Sequence, residues 1–186
     1  VGPFDPDNRL VFMTGPLTGT TVPTSGRYEV CAKSPASDAW GDSNSGGYFG
    51  PELKWAGFDG IVFQGRAPKP VYLWVHDGEA ELKSAEHIWG KDSYEIEDIL
   101  RSDLSDNKVR TACCGPAGER LVRFAAVIND QHRAAGRCGL GAVMGSKNLK
   151  AIAARGTHKP PLGDEDGLRK QSLEAIKMIK ESPITP

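Results

Sequence analysis

Asn129-Asp130-Gln131-His132-Arg133-Ala134-Ala135-Gly136-Arg137-Cys138-Gly139-Leu140-Gly141-Ala142-Val143-Met144-Gly145-Ser146-Lys147-Asn148 is the stretch on which the reading of this chain turns. No Asp or Glu occurs from Gln131 to Gly163, whereas Arg133, Arg137, Lys147, Lys150, Arg155 and Lys159 are all basic, in a chain of net charge −1. Such a local surplus suggests an anion. Gly136, Gly139, Gly141 and Gly145 allow positive φ and leave backbone N–H groups uncovered, so main chain can approach a phosphate and donate to it. Two phosphate motifs that would imply a nucleotide-binding α/β fold fail. The P-loop ends Gly-Lys-Ser/Thr, but here Gly145-Ser146-Lys147 inverts the last pair. The dinucleotide fingerprint requires another glycine spacing and an acidic residue about 20 positions on, which is lacking. On spacing alone, a glycine-rich turn beside a solvated basic face accounts for the pattern equally well.

Working outward, 186 residues fit one domain of ordinary size, or one plus an appendage. The 39% hydrophobic content permits a core, and 22 Gly with 13 Pro point to many turns. The near-neutral balance argues against a general nucleic-acid binder. The apolar runs fall short of the ~18 residues that span a bilayer, so a soluble, cytoplasmic protein is expected. Cys31, Cys113, Cys114 and Cys138 form no Cys-x-x-Cys motif and are expected to be reduced, Cys113 and Cys114 in or beside a buried strand.

Strands are expected at 10–14, 28–33, 60–65, 71–75, 80–83, 108–114, 120–128 and 149–154. Asp77-Gly78 joins the fourth and fifth as a hairpin, in which Tyr72 and Trp74 read as cross-strand packing residues. Asp42 to Gly47 reads as a second glycine-rich turn, and Pro51 to Ala56 as a short helix capped by Gly57. Asp92-Ser93-Tyr94-Glu95 is a capping box opening a helix to Arg101. A linker at 158–163 precedes an amphipathic helix over 164–181. Arg27, at a loop–strand junction, is placed to hold a phosphate or carboxylate. The expected class is therefore α+β, predominantly β, with about eight to ten short strands in layered, antiparallel-rich, sandwich-like sheets and two or three helices. Its glycine loops should meet at one face.

The run His132 to Ile152 closely resembles the N-terminal domain of the tungsten-containing aldehyde ferredoxin oxidoreductases. So do Thr14-Gly15-Pro16-Leu17-Thr18-Gly19-Thr20, Gly26-Arg27-Tyr28, Asn44-Ser45-Gly46-Gly47-Tyr48-Phe49-Gly50-Pro51-Glu52-Leu53-Lys54 and Gly115-Pro116-Ala117-Gly118-Glu119, in the family's order. The resemblance implies a sheet base over residues 1–157 for a tungsten bis-pterin (molybdopterin) cofactor, whose phosphates bind magnesium. Residues 158–186 would then lead to the cluster and catalytic domains. Asn44 and Ala134 would give carbonyl oxygens to magnesium. Arg133, Ala135, Gly136 and Arg137 would lie along the phosphates, with Ser45, Gly46, Gly47, Cys138 and Gly139 completing the two loops. Arg27 would contact the pterin. Cys138 stands where the family usually has another glycine.

The implied enzyme oxidises an aldehyde to a carboxylic acid and passes electrons through a [4Fe–4S] cluster to ferredoxin or another electron-transfer subunit. It is a metal-binding enzyme of anaerobic electron transfer, with a homodimer as a candidate assembly. The family's leading strands, cluster cysteines and catalytic Glu and His are expected outside these residues, so the fragment alone should be inactive. No catalytic residue is expected here, and His87 and His132 read as structural or surface groups. Two alternatives stand beside this reading: a relative with another low-potential substrate, such as an aromatic acyl-CoA or a sugar aldehyde, and a stand-alone, non-catalytic pterin-binding module.

Overall fold

The computed structural model describes residues 1–184, so the last two positions of the expected C-terminal segment, Thr185 and Pro186, lie outside the described residues. Ten strands form two sheets. The first is antiparallel, in the order β3-β2-β1-β4, built from β1 (Leu10–Thr14), β2 (Tyr28–Lys33), β3 (Trp40–Ser45) and β4 (Gly60–Phe63). The second runs β6-β5-β10-β7-β8-β9, from β5 (Val71–His76), β6 (Glu79–Ser84), β7 (Arg110–Cys114), β8 (Val127–Asn129), β9 (Arg133–Ala135) and β10 (Leu149–Arg155). Only the pair β5 and β10 is parallel within it. The helical segments are α1 (Phe49–Trp55), α2 (Ser93–Asp103), α3 (Pro116–Glu119), α4 (Leu140–Ser146) and α5 (Glu165–Glu181), with one 3₁₀ turn at Glu86–Ile88.

Alternation explains β2, where Tyr28, Val30 and Ala32 are buried and the intervening side chains are not. These residues join Leu10 and Phe12 of β1, Phe49 and Leu53 of α1, Leu140, Val143 and Met144 of α4, and Ile152 of β10 in one core between the sheets. Its aromatic centre is Phe12–Tyr28–Phe49, the Tyr28 and Phe49 rings meeting edge-on at 4.9 Å. A second core, on the outer face of the larger sheet, packs Ile96 and Leu100 of α2 against Tyr72, Cys113, Ala151 and Ala153. Strand β10 is thus covered on both faces, which its unbroken apolar run 151–154 requires.

The capping box forms as expected: Asp92 accepts from Tyr94 N and Glu95 N, and Glu95 accepts from Asp92 N. Replacing Asp92 by Ala should cost about 1 kcal/mol, read as a lower denaturation midpoint. An unchanged midpoint would mean that α2 is held by its apolar face alone.

Four expectations require correction. Asp42 to Gly47 is not a turn throughout, because Trp40–Ser45 is an edge strand whose inward residues Gly41, Ser43 and Ser45 are small. The 120–128 segment is a strand only at Val127–Asn129; the chain before it forms α3 and a tight turn through Leu121, at φ +56°. The glycine-rich stretch itself holds a short strand and the fully buried helix α4. Against an expectation of two or three helices, five helical segments are present among the described residues, three of them only a turn or two long. No helix among these residues is long and apolar enough to cross a membrane.

Candidate functional site

Strands β3 and β9 are each at the edge of their sheet, and they lie against one another. The Arg133–Gly139 segment is stitched to β3 and to the β2–β3 turn by side chain to backbone bonds. Ser43 Oγ donates to Gly136 O at 2.7 Å, Ser34 Oγ donates to Cys138 O at 2.7 Å, and the Cys138 thiol donates to Asp42 O at 3.4 Å. The small inward side chains of β3 therefore have a purpose. Gly41 admits Cys138, whose Cβ lies 3.1 Å from where a Cβ on residue 41 would sit.

Arginines converge on this joint. Arg27 Nε donates to Asn44 Oδ1 at 2.7 Å, across the β2–β3 pair. The Nη1 atoms of Arg27 and Arg133 lie 3.5 and 3.9 Å from the point a Cβ on Gly46 would occupy, so a side chain there would meet both guanidinium groups. Arg27, Arg133 and Arg137 are exposed and form no ion pair among the described residues. Two neighbouring guanidinium groups without an ion-pair partner, with Arg137 on the adjoining segment, suit an anion with several oxygens.

The basic block of the sequence divides in two here, which corrects its reading as one anion-binding patch. Lys147 is buried and donates to Pro6 O and Gly65 O at 3.0 and 3.1 Å, with burial lowering its pKa. Lys150 is buried against Glu119, and Arg155 pairs with Glu52 and Asp106. Lys159 lines the cavity beside Trp55, and of the block only Arg133 and Arg137 belong to the segment at the edge joint, the Arg133 guanidinium reaching Gly46. The glycines divide likewise. A Cβ on Gly141 would lie 2.2 Å from Ala126 O, and one on Gly145 would lie 2.1 Å from Gly118 O. Gly141 N is already bonded to Ala125 O at 2.9 Å. These glycines serve close packing rather than a ligand, and Gly139, at φ +72°, starts α4 beneath Arg123 O. Gly136 differs, since an added Cβ there would meet nothing within 4 Å.

Sequence reasoning gave no role to Tyr28, Ser43, Asn129 or Asp130. Asn129 Nδ2 donates to Gly46 O and to Asp130 Oδ2, each at 2.9 Å, and the Tyr28 hydroxyl donates to Asn129 Oδ1 at 3.0 Å. Asp130 Oδ2 also accepts from Tyr48 N at 2.6 Å. Burial, and then the charge of Asp130, push the Tyr28 phenol well above its ordinary pKa, so it remains a donor. The signal available in the sequence was an Asn-Asp pair closing a strand, a type that tolerates left-handed backbone; Asp130 has φ +47°.

No group of three or more His, Cys, Asp or Glu among the described residues could hold a metal, so an ion at this edge would depend on backbone or amide oxygens and on ligand oxygens. His87 is occupied by Asp103 at 2.8 Å, and His132 is exposed at the β8–β9 turn. Burial pushes the Cys114 thiol up to about 12 and Cys113 higher still, so both should resist alkylation until the domain unfolds. Labelling of either in the folded protein would show that β7 opens. A cavity of about 820 Å³ lies elsewhere, lined by Thr20, Trp55, Arg155 and His158; the edge joint is an open surface.

The two-sheet domain thus joins its sheets at two edge strands beside which exposed arginines stand without an ion-pair partner among the described residues. The chain belongs to the aldehyde ferredoxin oxidoreductase family: the family model described as "Aldehyde ferredoxin oxidoreductase, N-terminal domain" matches residues 1–156. It is 50% identical over 184 residues to the tungsten-containing aldehyde ferredoxin oxidoreductase of Pyrococcus furiosus, covering 99% of this chain and 30% of that protein. It is also 38% identical to the aliphatic sulfonate oxidoreductase, WOR-like subunit, of the same organism, covering 87% of this chain and 27% of that one. Among solved structures, the active site complex BamBC of benzoyl coenzyme A reductase with 1,5-dienoyl-CoA superposes with a TM-score of 0.94 at 36% identity, over 97% of this chain and 27% of that chain. The chain thus spans about 30% of the length of the curated relatives it matches.

Proposed function

We propose that this domain is the seat of a tungsten bis-pterin cofactor in an enzyme that oxidises aldehydes to carboxylic acids. The observation that carries the reading is the convergence of Arg27 and Arg133 over Gly46, without a carboxylate partner, in a chain of this family. The residues present fit the phosphate end of such a group. Guanidinium groups from Arg133 and Arg137 would pair with phosphate oxygens, and the open face of Gly136 would let main chain approach them. Asn44 and Ala134, one on each edge strand, would supply carbonyl oxygens to magnesium, a hard ion suited to oxygen ligands. Ala135 and Cys138 would line the same loop, while the buried Ser45 and Gly139 would act through backbone shape alone. Arg27, fixed by Asn44, would lie along the pterin.

When bound, the cofactor would supply the oxidation chemistry, with water as oxygen source and a [4Fe–4S] cluster and ferredoxin as the electron route, their ligands outside these residues. This chain's share is to bind, orient and exclude water. The likeness to a benzoyl-CoA reductase component supports a second reading, in which the same base serves a different low-potential substrate.

Elemental analysis of the anaerobically purified full-length protein should find tungsten, magnesium and iron, with about one tungsten per chain. Two variants sharpen the result. Arg133→Ala should lose tungsten and magnesium by about tenfold or more on gel filtration, in line with loss of a charge-assisted contact. Gly136→Ala should leave the melting temperature unchanged, because the added methyl meets no protein atom, yet lower magnesium retention. A parent protein without tungsten, molybdenum or magnesium would end this reading.

A further inference from the structure

The two loops assigned to the anion lie some 90 residues apart in sequence, and their relative position is set by few bonds. At one end Ser43 and Cys138 tie β3 to the Gly136–Cys138 segment. At the other end Asn129 and Asp130 bind Gly46 O and Tyr48 N, the hydrogen bonds that join the two turns among the described residues, with the Arg110 guanidinium over the Tyr48 ring. Asp130 is only 6% exposed, and its Oδ1 is buried without a hydrogen-bond partner. Asp130 and Gln131 both hold positive φ, +47° and +68°, a cost that the surrounding bonds must offset. Gly47 reports the same closeness independently: at φ +100°, a Cβ there would lie 2.1 Å from Asp130 Oδ2.

A carboxylate beside a cluster of arginines that awaits an anion is electrostatically adverse to that anion. Its contribution must therefore come from the hydrogen bonds it accepts. We infer that Asn129 and Asp130, with Asn129 oriented by Tyr28, are a positioning latch that locks the Gly46-Gly47-Tyr48 turn onto the β8–β9 turn. The latch holds the carbonyl of Asn44 and that of Ala134 at a fixed separation. The inference rests on the cofactor reading above for its consequence, though not for its geometry.

The test uses the full-length protein and four substitutions, Asn129→Ala, Asp130→Ala, Asp130→Asn and Tyr28→Phe. Amide hydrogen exchange at Gly46 to Tyr48 reads the latch itself, and the rate of magnesium loss to EDTA reads its consequence. Asn129→Ala and Asp130→Ala should raise both rates by about tenfold to a hundredfold, the effect of losing buried hydrogen bonds, two of which end on the charged Asp130 carboxylate. Asp130→Asn should stay within about threefold of the parent, because its amide oxygen still accepts from Tyr48 N and Asn129 Nδ2. Tyr28→Phe, which keeps the ring packing and should fold whatever the fate of Asp130→Ala, should raise both rates about threefold to tenfold. Parental exchange rates in Asn129→Ala and Tyr28→Phe would overturn the latch, as would an Asp130→Asn protein as impaired as Asp130→Ala. Faster exchange without faster magnesium loss would overturn its positioning role. A parent protein without magnesium or tungsten would sink the cofactor reading alone, leaving exchange to decide the latch.

Discussion

Gly145→Val should abolish or nearly abolish accumulation of folded protein, while Gly163→Ala should be silent. A Cβ on residue 145 would lie 2.1 Å from Gly118 O and 3.0 Å from Glu119 N, both backbone atoms that no rotamer change can move. The contact is reciprocal, because a Cβ on Gly118 would in turn lie 2.5 Å from Gly141 O. Helices α3 and α4 therefore meet main chain to main chain. Relief requires α4 to shift as a body, dragging Leu140, Val143 and Met144 out of the core between the sheets. Overpacking of this kind costs about 1–3 kcal/mol in a yielding site and more in a rigid one. Residual helix-propensity gain over glycine, at most about 1 kcal/mol, does not offset it. Gly163 has no atom within 4 Å of a built Cβ and no positive φ, so its change should stay within about 0.5 kcal/mol. Soluble yield and melting temperature of the two variants decide the matter. A Gly145→Val protein that melts with the parent would show that the helices do not approach this closely.

The same contact explains what could and could not be read beforehand. Strands β1 and β2 match their expected bounds, and the β5–β6 hairpin, α2 and α5 are placed to within a residue or two, because alternation, Asp77-Gly78 and the two acidic N-caps are local signals. Helix α4 escaped because its glycines, taken alone, read as turn formers. Their value lies in Ala126 O and Gly118 O, backbone that arrives from α3 and the turn after it. Strand β3 escaped for a related reason, since Gly41, Ser43 and Ser45 have low strand propensity and are chosen to let Cys138 and Gly136 lie close. The charge surplus was legible, but not which of its cations the fold leaves unpaired. Which cations are free depends on where Glu52, Asp106 and Glu119 arrive in space, each some 30 or more residues from its partner. The Asn129–Asp130 contacts with Gly46 and Tyr48 carry no local signature at all.

Lys150→Met should destabilise the protein by about 3–5 kcal/mol, and adding Glu119→Gln should restore most of that loss. Lys150 is fully buried, and its ammonium donates to Glu119 and, at 2.9 Å, to Lys91 O, with the Trp89 ring 5.9 Å away. Glu119 also accepts from Gly90 N at 2.8 Å. Removing the lysine alone leaves a carboxylate 7% exposed with one backbone donor and no counter-charge. That uncompensated charge, rather than the lost attraction, is the source of the effect. In the double variant the glutamine amide that replaces the carboxylate is neutral and can still accept from Gly90 N, so the two changes should be strongly non-additive. Additive losses in a double-mutant cycle would show instead that the pair is solvated and weak. The pair matters to the site through the chain of contacts above it. It anchors α3 to β10; α3 supplies the backbone on which Gly145 rests; and α4, seated there, begins at Gly139, where the Arg133–Gly139 segment ends. Lys150→Met should therefore loosen magnesium retention only in proportion to global unfolding, whereas Arg133→Ala should loosen it with the melting temperature unchanged.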